Sequence, residues 1–571
     1  MPRTIVTLSA LTSAAAAISA SPAAADLQSP GAFPPEIVLG TLTSPAGVAI
    51  RPVSGMPFGR SYTAAMVGDM NGDGLAEIVL GASAADPGGR NDAGMAFIIH
   101  GSNAAGRTGA LEPTAGFQIQ GISAGDALGT FASPGGDING DGYADVLVVA
   151  PDIPEPIWGH AYAVFGAPGV APGGTLVVSA LNGANGFRLN GNGYEAPVGG
   201  LVDFNADGFD DILVSRTNTV FSDEDHNDIT GGMQVHLGPP SLPNSVMPSF
   251  IFPTDAGFGS MLGVAGVGDV NADGLGDFVA HQGLVVFGTT NLPRPGVDKF
   301  YLSQLDGAQG FRVGSQESPV QGAAPFSGAG DVNGDGIDDL VVSVFHKDAL
   351  FTARAAVLFG RSNIGGDGVV ELDDLDGTNG FVIQGFGPAD TWGPVGIVGD
   401  VNGDGLADIA LGIADPTDEG ATGAGIVPII FGATDLGASG VVELESLDGS
   451  NGFVMRGPVL GAGIGVSLGG GEDFNGDGVD DIVVGGHAHE ASGGGIGPAA
   501  WVVFGRRARP AHQVCPADVD GNAFVDAADF VILASNFGAS VTPDTAGDLN
   551  SDGLVNAADL VILAGDFGCA P

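Results

Sequence analysis

A nine-residue pattern, Asp-x-Asn-x-Asp-Gly-x-x-Asp/Glu, recurs seven times along this chain and constrains its fold more than any other feature. The copies begin at Asp69, Asp137, Asp203, Asp269, Asp331, Asp400 and Asp473, with successive starts 62 to 73 residues apart. A nearly constant spacing of this kind is typical of repeat architectures such as solenoids and propellers. Gly (100) and Pro (36) are abundant among the 571 residues, but the period excludes a low-complexity linker.

Each repeat unit predicts about four β-strands. A short apolar run rich in β-branched residues follows the pattern, as at Leu340–Val342. A second run ends in Phe-Gly, as at Phe359-Gly360, a Gly-Phe strand follows, as at Phe381, and a last apolar strand leads into the next copy. About four strands per unit is the content of a propeller blade. The sequence therefore predicts an all-β fold, a seven-bladed β-propeller over residues 47–505.

The two ends of the repeat region predict how the ring closes. The seventh unit stops at Gly505 without its Gly-Phe strand, and a matching piece, Gly47–Ile50, stands alone before the first copy. We expect this N-terminal strand to close the last blade, because pairing it there would remove an open sheet edge.

The repeated pattern places oxygen-bearing side chains at positions 1, 3, 5 and 9 of a loop, which suits Ca²⁺. Gly at position 6 permits a sharp turn. Position 12 is apolar in every copy and strands follow, so these are not EF-hands. A plain turn is the competing interpretation, but the acid kept at position 9 favours about seven structural calcium sites. The predicted ligands are Asp69, Asn71, Asp73, Glu77, Asp137, Asn139, Asp141, Asp145, Asp203, Asn205, Asp207, Asp211, Asp269, Asn271, Asp273, Asp277, Asp331, Asn333, Asp335, Asp339, Asp400, Asn402, Asp404, Asp408, Asp473, Asn475, Asp477 and Asp481.

Together, the phased Phe-Gly and Asp-x-Asn-x-Asp-Gly elements resemble the FG-GAP repeats of the integrin alpha-chain β-propeller, and Phe58-Gly59-Arg60-Ser61 is similar to that family's Phe-Gly-x-Ser element. The resemblance implies calcium loops on one face and ligand binding on the other. The ligand-binding face would be formed by the loops at about 81–94, 215–232, 412–425 and 485–498. The longest of these loops carries the polar run 223–228.

Residues 515–571 follow a different pattern, a calcium-type loop and a helix repeated after 30 residues. Apolar residues fall on one face of the first helix, and Gly538 can cap it. This segment resembles a dockerin, although Ala527-Ala528 and Ala557-Ala558 stand where the cellulosomal family often has Ser-Thr. The resemblance implies two calcium ions and a cohesin-like or cell-surface protein partner; a calcium-stabilised tag without a partner is the alternative. The implied ligands are Asp518, Asp520, Asn522, Asp526, Asp529, Asp548, Asn550, Asp552, Asn556 and Asp559.

Two cysteines, Cys515 and Cys569, bracket the dockerin-like segment. A disulfide between them would close a loop of 54 residues and, by loop entropy, add about 4 kcal/mol of stability to a small core. We therefore predict this bond.

The chain begins with the features of a secretory signal peptide, over residues 1–25: a charged Arg3, a short apolar stretch and Ala-Ala-Ala before Asp26. Residues 26–46 and 506–514 are predicted linkers. The expected location is extracellular or at the cell surface, with no transmembrane segment in the mature chain. A net charge of −49 argues against nucleic acid as a partner.

No catalytic constellation stands out. Gly465–Gly469 matches the Gly-x-Ser-x-Gly nucleophile elbow, but it precedes a calcium-type loop instead of opening a helix. His487 and His489 lack an identifiable third metal ligand. The sequence therefore favours a secreted calcium-binding adhesion or binding protein over an enzyme, with an unknown protein or glycan as the propeller's ligand. A carbohydrate-binding propeller and a polysaccharide lyase or hydrolase are the alternatives; three Trp and five Tyr offer few stacking platforms for sugars.

Overall fold

The structure is a computed structural model. It describes residues 33–44, 46–50, 63–102, 111, 116–151, 159–189, 198–222, 228–238, 249–253, 264–280, 283–291, 305–314, 329–345, 353–385, 391–415, 423–459, 462–486, 490–491, 495–496, 500–507, 527–539, 554–556, 560 and 563. Pro35–Arg506 forms one compact unit, and the C-terminal residues from Arg507 belong to a second.

The first compact unit consists of β-strands, two of which precede the first acidic loop. These are β1 (Glu36–Val38) and β2 (Gly47–Ile50). The first repeat unit has β3 (Ala64–Gly68), β4 (Glu77–Ala82), β5 (Met95–Ile99) and β6 (Phe117–Gln120). The second has β7 (Phe131–Gly136), β8 (Asp145–Ala150), β9 (His160–Val164), β10 (Thr175–Val177) and β11 (Gly186–Arg188). The third has β12 (Val198–Val202), β13 (Asp211–Ser222), β14 (Asp228–His236) and β15 (Ser249–Pro253).

The remaining units continue the series. The fourth has β16 (Val264–Gly268), β17 (Asp277–Ala280), β18 (Leu284–Val286) and β19 (Gly310–Val313). The fifth has β20 (Leu340–Phe345), β21 (Ala353–Leu358), β22 (Val369–Val370) and β23 (Gly380–Gln384). The sixth has β24 (Thr391–Ile397), β25 (Ile409–Asp415), β26 (Ile426–Ile430), β27 (Val441–Glu443) and β28 (Gly452–Arg456). The seventh has β29 (Ser467–Glu472), β30 (Asp481–Gly485), β31 (Glu490–Ala491), β32 (Gly495–Ile496) and β33 (Ala500–Val503).

The sheets correct the predicted blade count. Six sheets contain an inner strand ahead of the acidic loop, namely β3, β7, β12, β16, β24 and β29. The sheet of the fifth unit, β20-β21-β23-β27, has no inner strand among the described residues, because residues 315–328 lie outside them. The prediction of a seven-bladed propeller is wrong: the described residues form an all-β structure with a six-bladed propeller, each blade having its inner strand.

Parallel strands cover the outer edges of several sheets. β10 pairs with β6, β22 with β19, and β27 with β23, so each covering strand comes from the unit that follows. β1 covers β28 of the sixth unit in the same way, with Ile37 opposite Met455. Neighbouring blades are thus joined at their rims as well as through their cores.

The N-terminal strand pairs as the sequence predicted. β2 lies antiparallel to β33, with Val48 opposite Val502, and completes the sheet of the seventh unit. Val48 and Ile50 are buried in one apolar cluster with Leu80 of the first unit and Val502 of the last. The ends of the repeat region therefore share a hydrophobic core. β1 also belongs to this compact unit, although it falls within residues 26–46, which the sequence analysis assigned to a linker.

Paired aromatic rings fill the sheets near the acidic loops. In four units the Phe of the Phe-Gly stacks edge-on or tilted against the Phe of the following Gly-Phe strand; Phe359 and Phe381 have ring centroids 5.8 Å apart. Equivalent pairs are Phe165–Phe187, Phe287–Phe311 and Phe431–Phe453. Such pairs bury large apolar surfaces and explain why both motifs recur in phase.

The C-terminal unit contains one described helix, α1 (Ala527–Asn536). Gly538 follows it with φ of +85°, the left-handed conformation expected of a helix-capping glycine. Leu533 is buried, and the Gly538 N–H donates to the Val555 carbonyl at 2.7 Å, joining the helix end to the second half of the segment. No helix in the described part of the chain is long and apolar enough to cross a membrane.

Candidate metal sites in the repeated acidic loops

Six of the acidic loops connect the inner strand of a blade to the next strand outward, as between β3 and β4, and the fifth precedes β20. The glycine at position 6 has a φ between +80° and +94° in all seven copies, as at Gly336 with +86°. A Cβ added to Gly336 would meet nothing within 4 Å. Glycine is required there for its backbone conformation and not for space.

The carboxylate at position 1 organises the loop backbone. In the loop that begins at Asp331, Oδ1 accepts the N–H groups of Gly334 at 2.6 Å and Asp335 at 3.2 Å, and Oδ2 accepts the Gly336 N–H at 2.7 Å. The same contacts to the residue at position 6 recur in the other loops. This side chain therefore shapes the turn before any ion is considered.

Positions 3 and 5 face each other in most units. In the fifth unit, Asn333 Nδ2 donates to Asp335 Oδ2 at 3.2 Å, and the Asp335 N–H donates to Asn333 Oδ1 at 2.9 Å. The amide-to-carboxylate contact recurs at Asn139, Asn205 and Asn271. Asp335 is exposed, so its carboxylate is accessible to a cation from solvent.

The acid at position 9 has a different environment. Asp339 is fully buried; its Oδ2 accepts the Val332 N–H at 2.8 Å and its Oδ1 accepts the Gly360 N–H at 2.8 Å. It therefore joins the start of the loop to the Phe-Gly at the end of the third strand. Burial raises the pKa of Asp339 to about 7, against the lowering effect of these two N–H donors.

The same arrangement recurs in the other units. Burial raises the pKa to about 8 at Asp145, Asp211, Asp277 and Asp481, and raises it well above its usual range at Asp408. The loop carboxylates at positions 1 and 5 raise it further by repulsion. A nearby cation would relieve both effects.

Close backbone packing explains the glycine of Phe-Gly. A Cβ on Gly360 would lie 2.2 Å from the Asp338 carbonyl oxygen, and one on Gly505 would lie 2.2 Å from that of Asp480. Only glycine lets the third strand end close enough to donate to the buried acid.

Backbone hydrogen bonds link each loop to its neighbour. The Ala144 N–H donates to the Asp69 carbonyl at 3.0 Å, and the Ala407 N–H donates to Asp331 at 3.0 Å. The Ala76 N–H donates to Asp473 at 3.0 Å, which connects the first unit to the last. The predicted metal ligands of the repeats therefore line one continuous edge of the propeller.

Sequence reasoning missed the acid at position 8. Asp210, Asp338 and Asp480 each accept the N–H of the position-1 residue in the preceding unit, at 2.8, 3.0 and 2.8 Å. Burial raises the pKa of each. The signal was visible as Asp-Asp at the end of three copies of the pattern, in place of Ala-Asp, Ala-Glu or Gly-Asp.

The donor chemistry of the loops fits a hard cation. In the described part of the chain, no group of three or more His, Cys, Asp or Glu side chains is already gathered as a metal site. The seventh unit nevertheless carries an unpaired buried acceptor, because Asn475 is 2% exposed and its Oδ1 is buried without a hydrogen-bond partner. That atom is one of the oxygens predicted to hold calcium. The side chains at positions 1, 3 and 5 would contact an ion. The buried acid at position 9 would hold the loop backbone in place through its hydrogen bonds.

The first and seventh units differ from the others at position 3. Asn71 Nδ2 donates to Glu77 at 2.8 Å and lies 3.0 Å from His100 Nδ1, and Asn475 Nδ2 donates to Asp481 at 3.3 Å. His100 occupies the place that phenylalanine holds in units such as the fifth, at Phe359.

Several predicted sites lie outside the described residues. These are the signal peptide, Cys515, Cys569, residues 223–227, Phe58–Ser61, His487, His489, and the dockerin-like ligands other than Asp529 and Asn556. Asp529 lies in α1, and Asn556 follows Val555.

Family comparisons match two parts of the sequence. The FG-GAP repeat matches residues 61–99, and the dockerin type I domain matches residues 516–567. Dockerin type I domains bind cohesins, occur in extracellular or cell-surface proteins and, like FG-GAP domains, generally bind calcium. No curated protein matches the chain.

Solved structures similar to this chain include BBS1N in complex with ARL6DN, soaked with lead, at 10% identity and a TM-score of 0.36, covering 82% of this chain and 97% of that one. The C-terminal domain of Pseudomonas aeruginosa PilY1 is similar at 9% identity and a TM-score of 0.27, covering 78% and 87%. The chain thus combines a β-propeller, of which residues 61–99 match the FG-GAP repeat, with a C-terminal segment that matches the dockerin type I domain.

Proposed function

We propose that this protein is a secreted, calcium-binding adhesion or binding protein. Its propeller would present a ligand through the loops opposite the acidic edge, and its dockerin-like segment would anchor it to a cohesin-type or cell-surface protein. The observation that carries the proposal is the recurrence of one loop geometry, with an exposed acid at position 5 above a buried acid at position 9, in successive units.

Calcium has a structural role in this proposal. The buried acid ties the loop to the third strand of its own blade, and position 1 bonds to the next blade through its carbonyl. A cation held by positions 1, 3 and 5 would neutralise the repulsion that raises the pKa of the buried acid. Calcium would therefore stabilise both the blade and its junction with the next one.

The first test is a thermal melt of the mature protein in excess EDTA, with calcium and then magnesium titrated back. We expect calcium to raise the melting temperature at concentrations where magnesium does not, because a Ca²⁺ site tolerates the irregular oxygen geometry of these loops. The same melting temperature in EDTA and in calcium would contradict the proposal.

The second test measures partner binding. The full chain is passed over immobilised type I cohesins in calcium, with a variant that lacks residues 515–571 as the matched control. Retention of the full chain alone supports anchoring through the C-terminal segment. Equal retention of both would place the binding surface on the propeller and contradict this part of the proposal.

A further inference from the structure

We infer that the acidic loop of the seventh unit binds calcium more tightly than the loops of the second to sixth units, and that this ion stabilises the ring closure, where the seventh unit meets the first. The inference deepens the proposed function and rests on it, since it supposes that the acidic loops bind calcium. It starts from the asparagine at position 3, whose side-chain oxygen is a predicted calcium ligand.

In the second to sixth units, this asparagine oxygen is already bonded within the loop. The N–H of the position-5 aspartate donates to it at 2.8 to 3.0 Å, as from Asp335 to Asn333 Oδ1 at 2.9 Å. In the second to fifth units, the asparagine also donates through Nδ2 to the position-5 carboxylate at 2.9 to 3.2 Å. Because calcium needs oxygens from both positions, binding in these loops must first break hydrogen bonds between the ligands.

In the seventh unit, the same oxygen has no partner. Asn475 Nδ2 donates to Asp481 Oδ1 at 3.3 Å, which turns the amide nitrogen toward the buried acid. Asn475 is 2% exposed, and its Oδ1 accepts no hydrogen bond. A buried acceptor without a partner is costly. An ion held by Asp473 and Asp477 would satisfy this oxygen, and the oxygen would give up no hydrogen bond to bind it.

The first unit shares the turned amide but not its burial. Asn71 Nδ2 donates to Glu77 Oε1 at 2.8 Å, as Asn475 does to its own acid. Asn71 is only half-buried, so solvent can reach its side chain. The burial of an unpaired oxygen therefore singles out the seventh loop.

Two further acids lie beside the seventh loop. Glu472 stands directly before position 1, where the other units have glycine or valine, and Asp480 stands at position 8. Glu472 reaches across the ring closure, because a Cβ added to Gly68 of the first unit would lie 3.6 Å from its Oε1. The carboxylates of Asp480 and of Asp69 in the first loop repel Glu472. A cation in the seventh loop would be attracted by these charges and would reduce their repulsion across the ring closure.

The seventh loop is also bonded directly to the first unit. The Ala76 N–H donates to the Asp473 carbonyl at 3.0 Å. The equivalent bond between the fifth and sixth units runs from the Ala407 N–H to the Asp331 carbonyl, also at 3.0 Å. An ion bound by positions 1, 3 and 5 would fix the backbone that accepts each of these bonds. The bond across the ring closure is therefore the first that calcium stabilises.

The first experiment measures calcium binding to the full chain by equilibrium dialysis over a range of free calcium. The variants are Asp477→Ala and Asp335→Ala, since both residues are exposed acids at position 5 that accept the position-7 N–H at 3.0 Å. We expect Asp477→Ala to lose one ion that binds about tenfold more tightly than the ion lost from Asp335→Ala, because one hydrogen bond fewer must break. Ions bound by the C-terminal segment cancel in the comparison with the wild type. Equal affinities of the two lost ions would overturn the inference.

The second experiment follows the ring closure by amide hydrogen exchange during the same titration. Peptides that contain Ala76 should gain protection at about tenfold lower calcium than peptides that contain Ala407, in keeping with the affinity difference. Equal calcium midpoints would overturn the role in ring closure. Glu472→Gln should raise the midpoint for Ala76, whereas Glu445→Gln, at an exposed glutamate that follows β27, should leave it unchanged.

Failure of the proposed function gives a different result. If the acidic loops bind no calcium, both alanine variants bind as many ions as the wild type, and calcium changes the exchange of neither peptide. That result would refute the calcium sites themselves. Calcium bound with equal affinity in the fifth and seventh loops would refute only the order inferred from Asn475.

Discussion

Acids of the same type have two distinct roles within a single loop. Asp339 is buried and accepts two backbone N–H groups, whereas Asp335, four residues earlier, is exposed. The nine-residue pattern marks both as ligands and cannot distinguish them, because burial depends on where the third strand ends in space. The difference decides what each substitution should do.

We predict that Asp339→Asn destabilises the propeller even without calcium. At pH 8, above the pKa of about 7, the amide would direct an N–H at a backbone donor and lose one buried hydrogen bond. The expected cost is roughly 2–3 kcal/mol in the free energy of unfolding. Urea denaturation in EDTA measures it. Asp335→Asn is the control and should change stability by less than about 0.5 kcal/mol in EDTA, with a larger loss only when calcium is present.

Two glycines of the fifth unit should respond differently to alanine. Gly336→Ala meets open space and costs only the left-handed backbone, about 1 kcal/mol. Gly360→Ala forces a Cβ to 2.2 Å from a carbonyl oxygen and should cost roughly 3 kcal/mol or more. Urea midpoints of both variants check the order.

Ala272→Gly is a third comparison: Ala272 has φ of +59°, so this change should not destabilise the protein.

At the scale of elements, the two short N-terminal strands each cover the edge of a sheet in one of the last two units. β1 covers the edge of the sixth unit and buries Ile37 at 1% exposure, and β2 supplies the outer strand of the seventh. The single exposed ion pair between Glu36 and Arg456, at 2.7 Å, adds little beside this burial.

We predict a graded effect of N-terminal truncation. Removing residues up to 45 deletes β1 with its buried Ile37 and Leu39, which should cost roughly 3–6 kcal/mol at about 1.5–3 kcal/mol per side chain. Removing residues up to 50 also exposes β33 as an apolar edge strand, and we expect this variant to self-associate. Urea denaturation and light scattering compare the two. A monomeric second variant as stable as the first would contradict the closing role of β2.

The sequence alone predicted much of the fold and of the candidate site, and each wrong or missing prediction has a physical cause. The pairing of Gly47–Ile50 was predictable because this segment has the Gly-x-x-Ile pattern of the Gly-Phe strand, which the last unit lacks. The role of β1 as a covering strand was not predictable, because its three residues form a strand only by pairing with one more than 400 positions away. The predicted blade count was wrong because it was read from the seven copies of the acidic loop, whereas the described sheets that contain an inner strand number six. The contacts of Asn71 with Glu77 and His100 were not predictable either, because they depend on His100, 29 positions later, packing beside that loop.

At the scale of the whole molecule, the buried acids predict a pH dependence. Their folded pKa values of about 7 to 8 exceed the unfolded value near 3.8, so the folded chain binds more protons between about pH 4 and 8. In EDTA, stability should therefore be greatest near the lower end of this range and fall as pH rises to 8. Melting temperatures at pH 5, 6.5 and 8 measure the fall. Calcium should reduce it, because the ion favours the ionised carboxylates. A melting temperature in EDTA that rises between pH 5 and 8 would contradict this account.

The pairing of the first strands with the last units also determines the order of the folding steps. Glu36 meets Arg456 across 420 positions, and Ala64 meets Ser467 across 403. A chain made from its N-terminus holds β1 and β2 long before their partners exist, so both must wait while the intervening blades assemble. Contacts this distant in sequence slow folding. Closing the ring is therefore the final folding step, and a circular permutant that carries residues 35–50 after the last unit should shorten that delay while keeping every strand pair.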